Sequence, residues 1–136
     1  MSKAKRPVSE STTIILPLPP RVLSPNRPPG SRGGRMKKAA AAKRYRKVAR
    51  QAAVAAQVDS SPWVRVTVQA TFYHKQNRRR DDVNHLAMLK PAYDGLVESG
   101  LLADDDSTHL MTLPARFEID REHPRVELLV ERKERL

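Results

Sequence analysis

Apolar and polar residues alternate without a break from Val64 to Phe72. Val64, Val66, Val68, Ala70 and Phe72 lie on one side, with Arg65, Thr67, Gln69 and Thr71 on the other. Successive side chains of an extended chain point to opposite faces, so this period of two predicts a half-buried strand. Leu113, Ala115, Phe117 and Ile119 form a second alternation, and Val126, Leu128 and Val130 a third. The turn-rich stretch "DREHP" between them predicts that the last two strands form a hairpin. Near the other end, Thr12 to Leu16 is β-branched and apolar, and the prolines that close it cannot donate to a sheet ladder. An edge or early strand ending near Pro17 is expected there.

Two stretches carry the helical period instead. Residues 36 to 57, "MKKAAAAKRYRKVARQAAVAAQ", combine alanine, lysine and arginine with no breaker, which makes them the strongest predicted helix. Tyr45, Val48, Ala49, Ala52 and Ala56 recur along it as a narrow apolar stripe. Leu86, Leu89, Tyr93, Leu96 and Val97 predict a second helix, with Gly100 as its stop and Pro91 implying a kink or a late start. Residues 17 to 35 hold more than half of the 11 prolines and of the 5 glycines, so a cationic loop is predicted. The fold class expected is α/β (α+β): a single domain over residues 12–132, with a mixed β-sheet of about four strands and two main helices packed on it. Residues 1–11 are expected to form a disordered tail.

Composition narrows the chemistry. The 136 residues include no cysteine, which excludes disulfides, thiolate metal sites and a cysteine nucleophile and fits a reducing compartment. No apolar run approaches the length that spans a bilayer, so a soluble protein of the cytoplasm is expected. The net charge of +11 is carried by the N-terminal part: residues 1 to 50 hold more than half of the 26 lysines and arginines against the single acid Glu10. A block of that kind attracts nucleic acid by neutralising phosphates and releasing counterions. A solvated basic tail and a membrane-surface contact are the competing explanations.

The stretch "NRRRDDVNHL", residues 77 to 86, sets Arg78, Arg79 and Arg80 against Asp81 and Asp82 just beyond the long strand. Further acids stand at Asp94 and at Asp104, Asp105 and Asp106. Crowded carboxylates repel, and a shared Mg²⁺ ion, which prefers oxygen ligands, relieves that repulsion. Lys90 and Asp94 are four residues apart and share a helix face, where a lysine can steady charge developing on a phosphate. Plainer readings exist for each: a turn with an N-cap at Asp104 to Asp106, a surface ion pair for Lys90 and Asp94, a solvated strand end for the arginines. His74, His85, His109 and His123 lack the spacing of a helical zinc motif. Trp63 and Tyr73 fit core or rim packing better than base stacking. DNA contacts are expected from Arg78, Arg79 and Arg80, and from Arg32, Arg35, Lys37, Lys38, Lys43, Arg44 and Lys47 of the basic loop and helix.

The segment "RRRDDVNHLAMLKPAYDGLVESGLLADDD" resembles the signature of the RusA family of Holliday junction resolvases. That signature runs from an arginine-rich strand end through Asp-x-Asp-Asn to a helix with Lys and Asp-x-Leu, then Gly and a paired Asp. Arg78 to Asp105 carries the likeness most specifically, and the order of elements extends it over residues 12 to 132. Asp81 matches the first aspartate, Asn84 the asparagine, Lys90 the helical lysine, Asp94 the helical aspartate, and Asp104 and Asp105 the closing pair. Val83 departs from the pattern where a second aspartate is usual, leaving Asp82 as the local substitute, and the spacing from Asn84 to Lys90 is longer. The resemblance implies a homodimeric, phage-type endodeoxyribonuclease of DNA recombination and repair, cutting four-way and other branched junctions with Mg²⁺ (or Mn²⁺). Asp81, Asp105 and Lys90 would be catalytic, and Asp81, Asp82, Asp94, Asp104 and Asp105 are the candidate metal ligands. The competing expectation, motivated by Val83, is a junction- or nucleic-acid-binding protein that does not cut.

Overall fold

The computed structural model describes residues 10–25, 30–56, 61–77 and 82–133; of Asp82 it describes the backbone alone. Strand β1 (Ser11–Leu16) is followed by a 3-10 turn at Arg21–Leu23, helix α1 (Arg32–Ala56) and strand β2 (Val66–His74). Two short helices, α2 (Asp82–Ala87) and α3 (Lys90–Glu98), then lead to β3 (Leu110–Thr112), β4 (Arg116–Ile119) and β5 (Arg125–Arg132). The result is a mixed α+β fold, with a five-stranded sheet and one long and one bent helical segment packed on it. Residues 1–9 of the expected tail lie outside the described residues, and Ser11 of that tail belongs to β1. Ser11 already pairs with Glu131, and the Arg132 guanidinium donates to the Glu10 carboxylate at 2.6 Å.

Sheet order is β1-β5-β2-β3, with β4 beside β2 on the same side as β3. The expected hairpin between the last two strands does not form. β5 runs antiparallel to β2 along one edge, while β4 runs parallel to β2 along the other, so β2 lies between them. The connection passes over the end of β2, where the Asp120 amide donates to the His74 carbonyl at 2.8 Å. Asp120 also accepts from the Glu122 and His123 amides, and Arg125 ties it to Glu127 through ion pairs of 2.8 and 2.7 Å. The predicted alternation of Leu113 to Ile119 is interrupted as well. β3 pairs with the first half of β2 and β4 with its second half; the Gln69 side chain donates to the Pro114 carbonyl across the break.

The long alternation holds where it is paired: Val66, Val68, Ala70 and Phe72 are buried. Val64 precedes the strand and stays 61% exposed. Helix α1 begins at Arg32, earlier than its alanine-rich sequence predicts, because Ser31 caps it: the Gly34 amide donates to Ser31 Oγ at 3.0 Å. Its buried face is Ala41, Tyr45, Ala49 and Ala53, one residue out of phase with part of the predicted stripe, and Val48 is exposed. Small residues on that face let α3 lie close, and Gly95 closes the crossing. A Cβ built on Gly95 would meet the Arg46 carbonyl oxygen and come within 2.9 Å of the Arg50 nitrogen and 3.0 Å of Ala49 Cβ. Pro91 acts as a late start. It occupies the first turn of α3, where its missing N–H costs nothing, and the chain breaks at Met88 and Leu89. Gly100, with φ of 90°, ends the segment in a backbone region that other residues avoid.

Candidate functional site

Lys90 is the first residue of α3, Asp94 stands one turn later, and Asp105 lies in the loop that leads to β3. The fold brings all three to one point. Lys90 Nζ donates to Asp94 Oδ1 at 2.9 Å and to Asp105 Oδ2 at 2.7 Å. The i, i+4 spacing on α3 accounts for the first contact. The second is long-range, and it requires the turn at Gly100 and the anchoring of the next segment. Leu101 and Leu102 are buried, and Trp63 holds the strand-like stretch there through backbone bonds to Leu101 and Ala103 of 2.8 and 3.0 Å.

Charge at this point is fixed by mutual contact. The bond from Lys90 holds the Asp105 carboxyl below the usual range for an aspartate, and the bonds from Asp105 and then Asp94 raise the Lys90 ammonium above its ordinary value. Asp105 is the most enclosed of the three, with a side chain 17% exposed against 63% for Lys90 and 40% for Asp94. Two carboxylate oxygens from different elements therefore lie within reach of a single cation. An ammonium fills that role here, and carboxylate oxygens are donors of the kind hard divalent ions take.

Asp104 turns the other way. Its Oδ1 accepts the Asp105 amide at 2.7 Å, and its carboxylate joins Asp106 and His109 in a group whose ligand atoms lie within 4.8 Å of one another. Among the described residues this is the group with three metal-ligating side chains, and it is largely exposed. Asp106 Oδ1 already serves the turn: Thr108 donates from its amide at 3.1 Å and its hydroxyl at 2.7 Å, and His109 Nδ1 lies at 2.6 Å. These contacts, His109 first, bring the Asp106 carboxyl down to about 2. The capped turn foreseen for Asp104 to Asp106 is thus present, and the predicted ligand set divides between two places. The participation of His109 was missed, although its i, i+3 spacing from Asp106 was available as a signal.

Arg78, Arg79, Arg80 and Asp81 lie outside the described residues, as does the Asp82 side chain. Asn84 is described: on α2, its amide donates to Ser24 Oγ at 3.1 Å, and Lys38 reaches the Ser24 carbonyl at 3.5 Å. These contacts tie the proline-rich loop to α1 and α2. The basic residues predicted for DNA contact, Arg32, Arg35, Lys37, Lys43, Arg44 and Lys47, are exposed along α1; Lys38 is half-buried. Arg32 and Arg35 belong to the helix rather than to the loop before it. Beside α2 opens a cleft of about 740 Å³, lined by residues of the loop, β2 and α2 that include Arg21, His74, Lys75, Asn84 and His85. The sequence matches no protein-family model and no curated protein. No helix among the described residues is long and apolar enough to cross a membrane.

Proposed function

We propose that the protein is a Mg²⁺-dependent endodeoxyribonuclease that hydrolyses phosphodiester bonds in four-way and other branched DNA, as the resemblance to RusA-type resolvases implies. The convergence of Asp94 and Asp105 on Lys90 carries this reading. It joins a helix position to a loop position that both belong to the sequence motif, and it sets a charged ammonium beside two carboxylates. Asp105 and Asp94 would hold the ion, with Asp81 or Asp82 completing the set. Such an ion polarises a phosphoryl oxygen and lowers the cost of activating water.

The chain's own groups have separable tasks. Lys90, more than half exposed and protonated, would face the charge that builds on the phosphoryl oxygens. Asp105, the least exposed of the three, keeps its negative charge through the neutral range and accepts from Lys90. The exposed lysines and arginines of α1 hold the arms of the junction by phosphate contact, which positions DNA without reading its sequence. A symmetric junction presents two equivalent phosphates, which a homodimer would meet with two equivalent sites.

Asp105→Asn tests the reading with a synthetic four-way junction. Cleavage should fall by at least about a hundredfold, the scale of losing one electrostatic group from a site, while junction binding persists. Retained cleavage would remove Asp105 from the machinery. Wild-type protein that binds the junction but never nicks it across Mg²⁺ and Mn²⁺ would select the non-cutting alternative that Val83 motivates.

A further inference from the structure

The cleft beside α2 has walls of a kind that phosphate contacts do not need. Phe72 and His74 from β2 stack at 6.2 Å between ring centroids, and His85 from α2 stands edge-on to them at 5.0 and 5.5 Å. Leu18, Pro19 and Met88 extend the apolar lining. Polar groups share the lining: the amides of Gln76 and Asn84, the latter bonded to Ser24, and the cations Arg21 and Lys75. Phe72 is fully buried and Phe117 packs on all three rings, so the rings that meet a ligand are the half-buried His74 and His85; with the amides and the positive charge of the lining they match a nucleobase still attached to its phosphates.

We infer that this cleft receives an unpaired base of the bound DNA, so that the protein recognises branch points by the base they leave unstacked. The inference rests on the DNA reading above and adds to it the feature by which a branch differs from duplex. Lys75 and Arg21 place positive charge in the lining itself, so the phosphates that flank a bound base meet cations there. Duplex DNA keeps its bases paired and would have to expend unstacking energy to fill the cleft. A bulged base is already unpaired, and a pair at a crossover, where the continuous stack is interrupted, opens at lower cost than one inside duplex. Preference for branched substrates follows without any contact specific to the crossover itself.

The test uses the full chain and four-way junctions with 2-aminopurine at single positions around the branch, titrated in Ca²⁺ beside matched duplexes. A position at the branch should change its fluorescence on binding. 5-Iododeoxyuridine at that position should photocrosslink to a peptide containing His74 or His85. His85→Ala, checked for folding by circular dichroism, should weaken junction binding by roughly tenfold, the order of one lost base stack, and leave duplex binding unchanged. Saturable junction binding with no responsive position, or crosslinks only outside the cleft, overturns the base pocket and leaves the nuclease reading standing. Equal affinity for junction and duplex overturns both.

Discussion

Lys90 separates two carboxylates that would otherwise repel, and the consequence is measurable one residue at a time. Asp105 is depressed, so the stability it contributes is fully present above its unfolded value and is lost as pH falls through its lower, folded value. Lys90 is raised, so its share is present below its unfolded value and lost only as pH climbs through the folded one. Both shifts describe one pairing and are not to be added. In Lys90→Met, Asp105 loses its donor and keeps Asp94 as a like-charged neighbour. Its carboxyl should therefore titrate at higher pH than in the wild type, as read by carboxyl-carbon NMR. Because Lys90 is largely exposed, the change in overall stability at neutral pH should stay within about 1 kcal/mol. An Asp105 titration that does not move would mean that the contact is not populated in solution. The sequence displayed the Lys90–Asp94 half of this site through helical spacing. It also named Asp105, but not which of the neighbouring acids would turn toward Lys90; that choice depends on Asp104 being occupied by the Asp105 amide and on Asp106 capping its own turn.

Elements were legible where one period ran uninterrupted and one face met the core. β2 and β5 satisfy both conditions, and their buried residues Val66, Val68, Phe72, Val126, Leu128 and Val130 are those the alternation selects. The hairpin expectation failed for a physical reason: proximity in sequence favours adjacent pairing, but β5 instead fills the place between β1 and β2 and β4 is left to the opposite edge. Nothing in the alternation of either strand distinguishes these partners. The phase of α1 was also only partly legible, because alanines on every side blur the apolar stripe and tertiary contact decides which of them face inward. Gly95 makes that contact possible. Gly95→Ala would push a methyl group into the backbone of α1 at Arg46 and Arg50. Overpacking of this sort costs about 1–3 kcal/mol, and here the obstacle is backbone that cannot step aside, so the loss should reach the upper part of that range. Urea denaturation should show a lower midpoint with an unchanged slope. A midpoint equal to wild type would mean that the two helices do not cross so closely.

At the scale of the whole molecule, the charge asymmetry of the sequence becomes a spatial one. The buried face of α1 is three alanines and Tyr45, most of its lysines and arginines are exposed, and α3, which opens with Lys90, lies directly against it at Gly95. Arg46 is spent on the scaffold through its 3.3 Å pair with Glu98, which bridges the two helices. Lys37, Lys43, Arg44 and Lys47 are exposed and have no such structural duty among the contacts described. Replacing these four with glutamine should change folding stability by no more than about 0.5 kcal/mol for each substitution, the usual bound for surface changes outside packed features. DNA affinity should nevertheless fall for junction and duplex alike, because phosphate contacts ignore sequence and branching. The slope of log affinity against log salt should become shallower by about 0.9 for each phosphate contact removed. Fluorescence anisotropy across a salt series measures both quantities. A loss confined to junctions would assign α1 to branch recognition, and an unchanged slope would take α1 out of the DNA interface and return its charge to solvent.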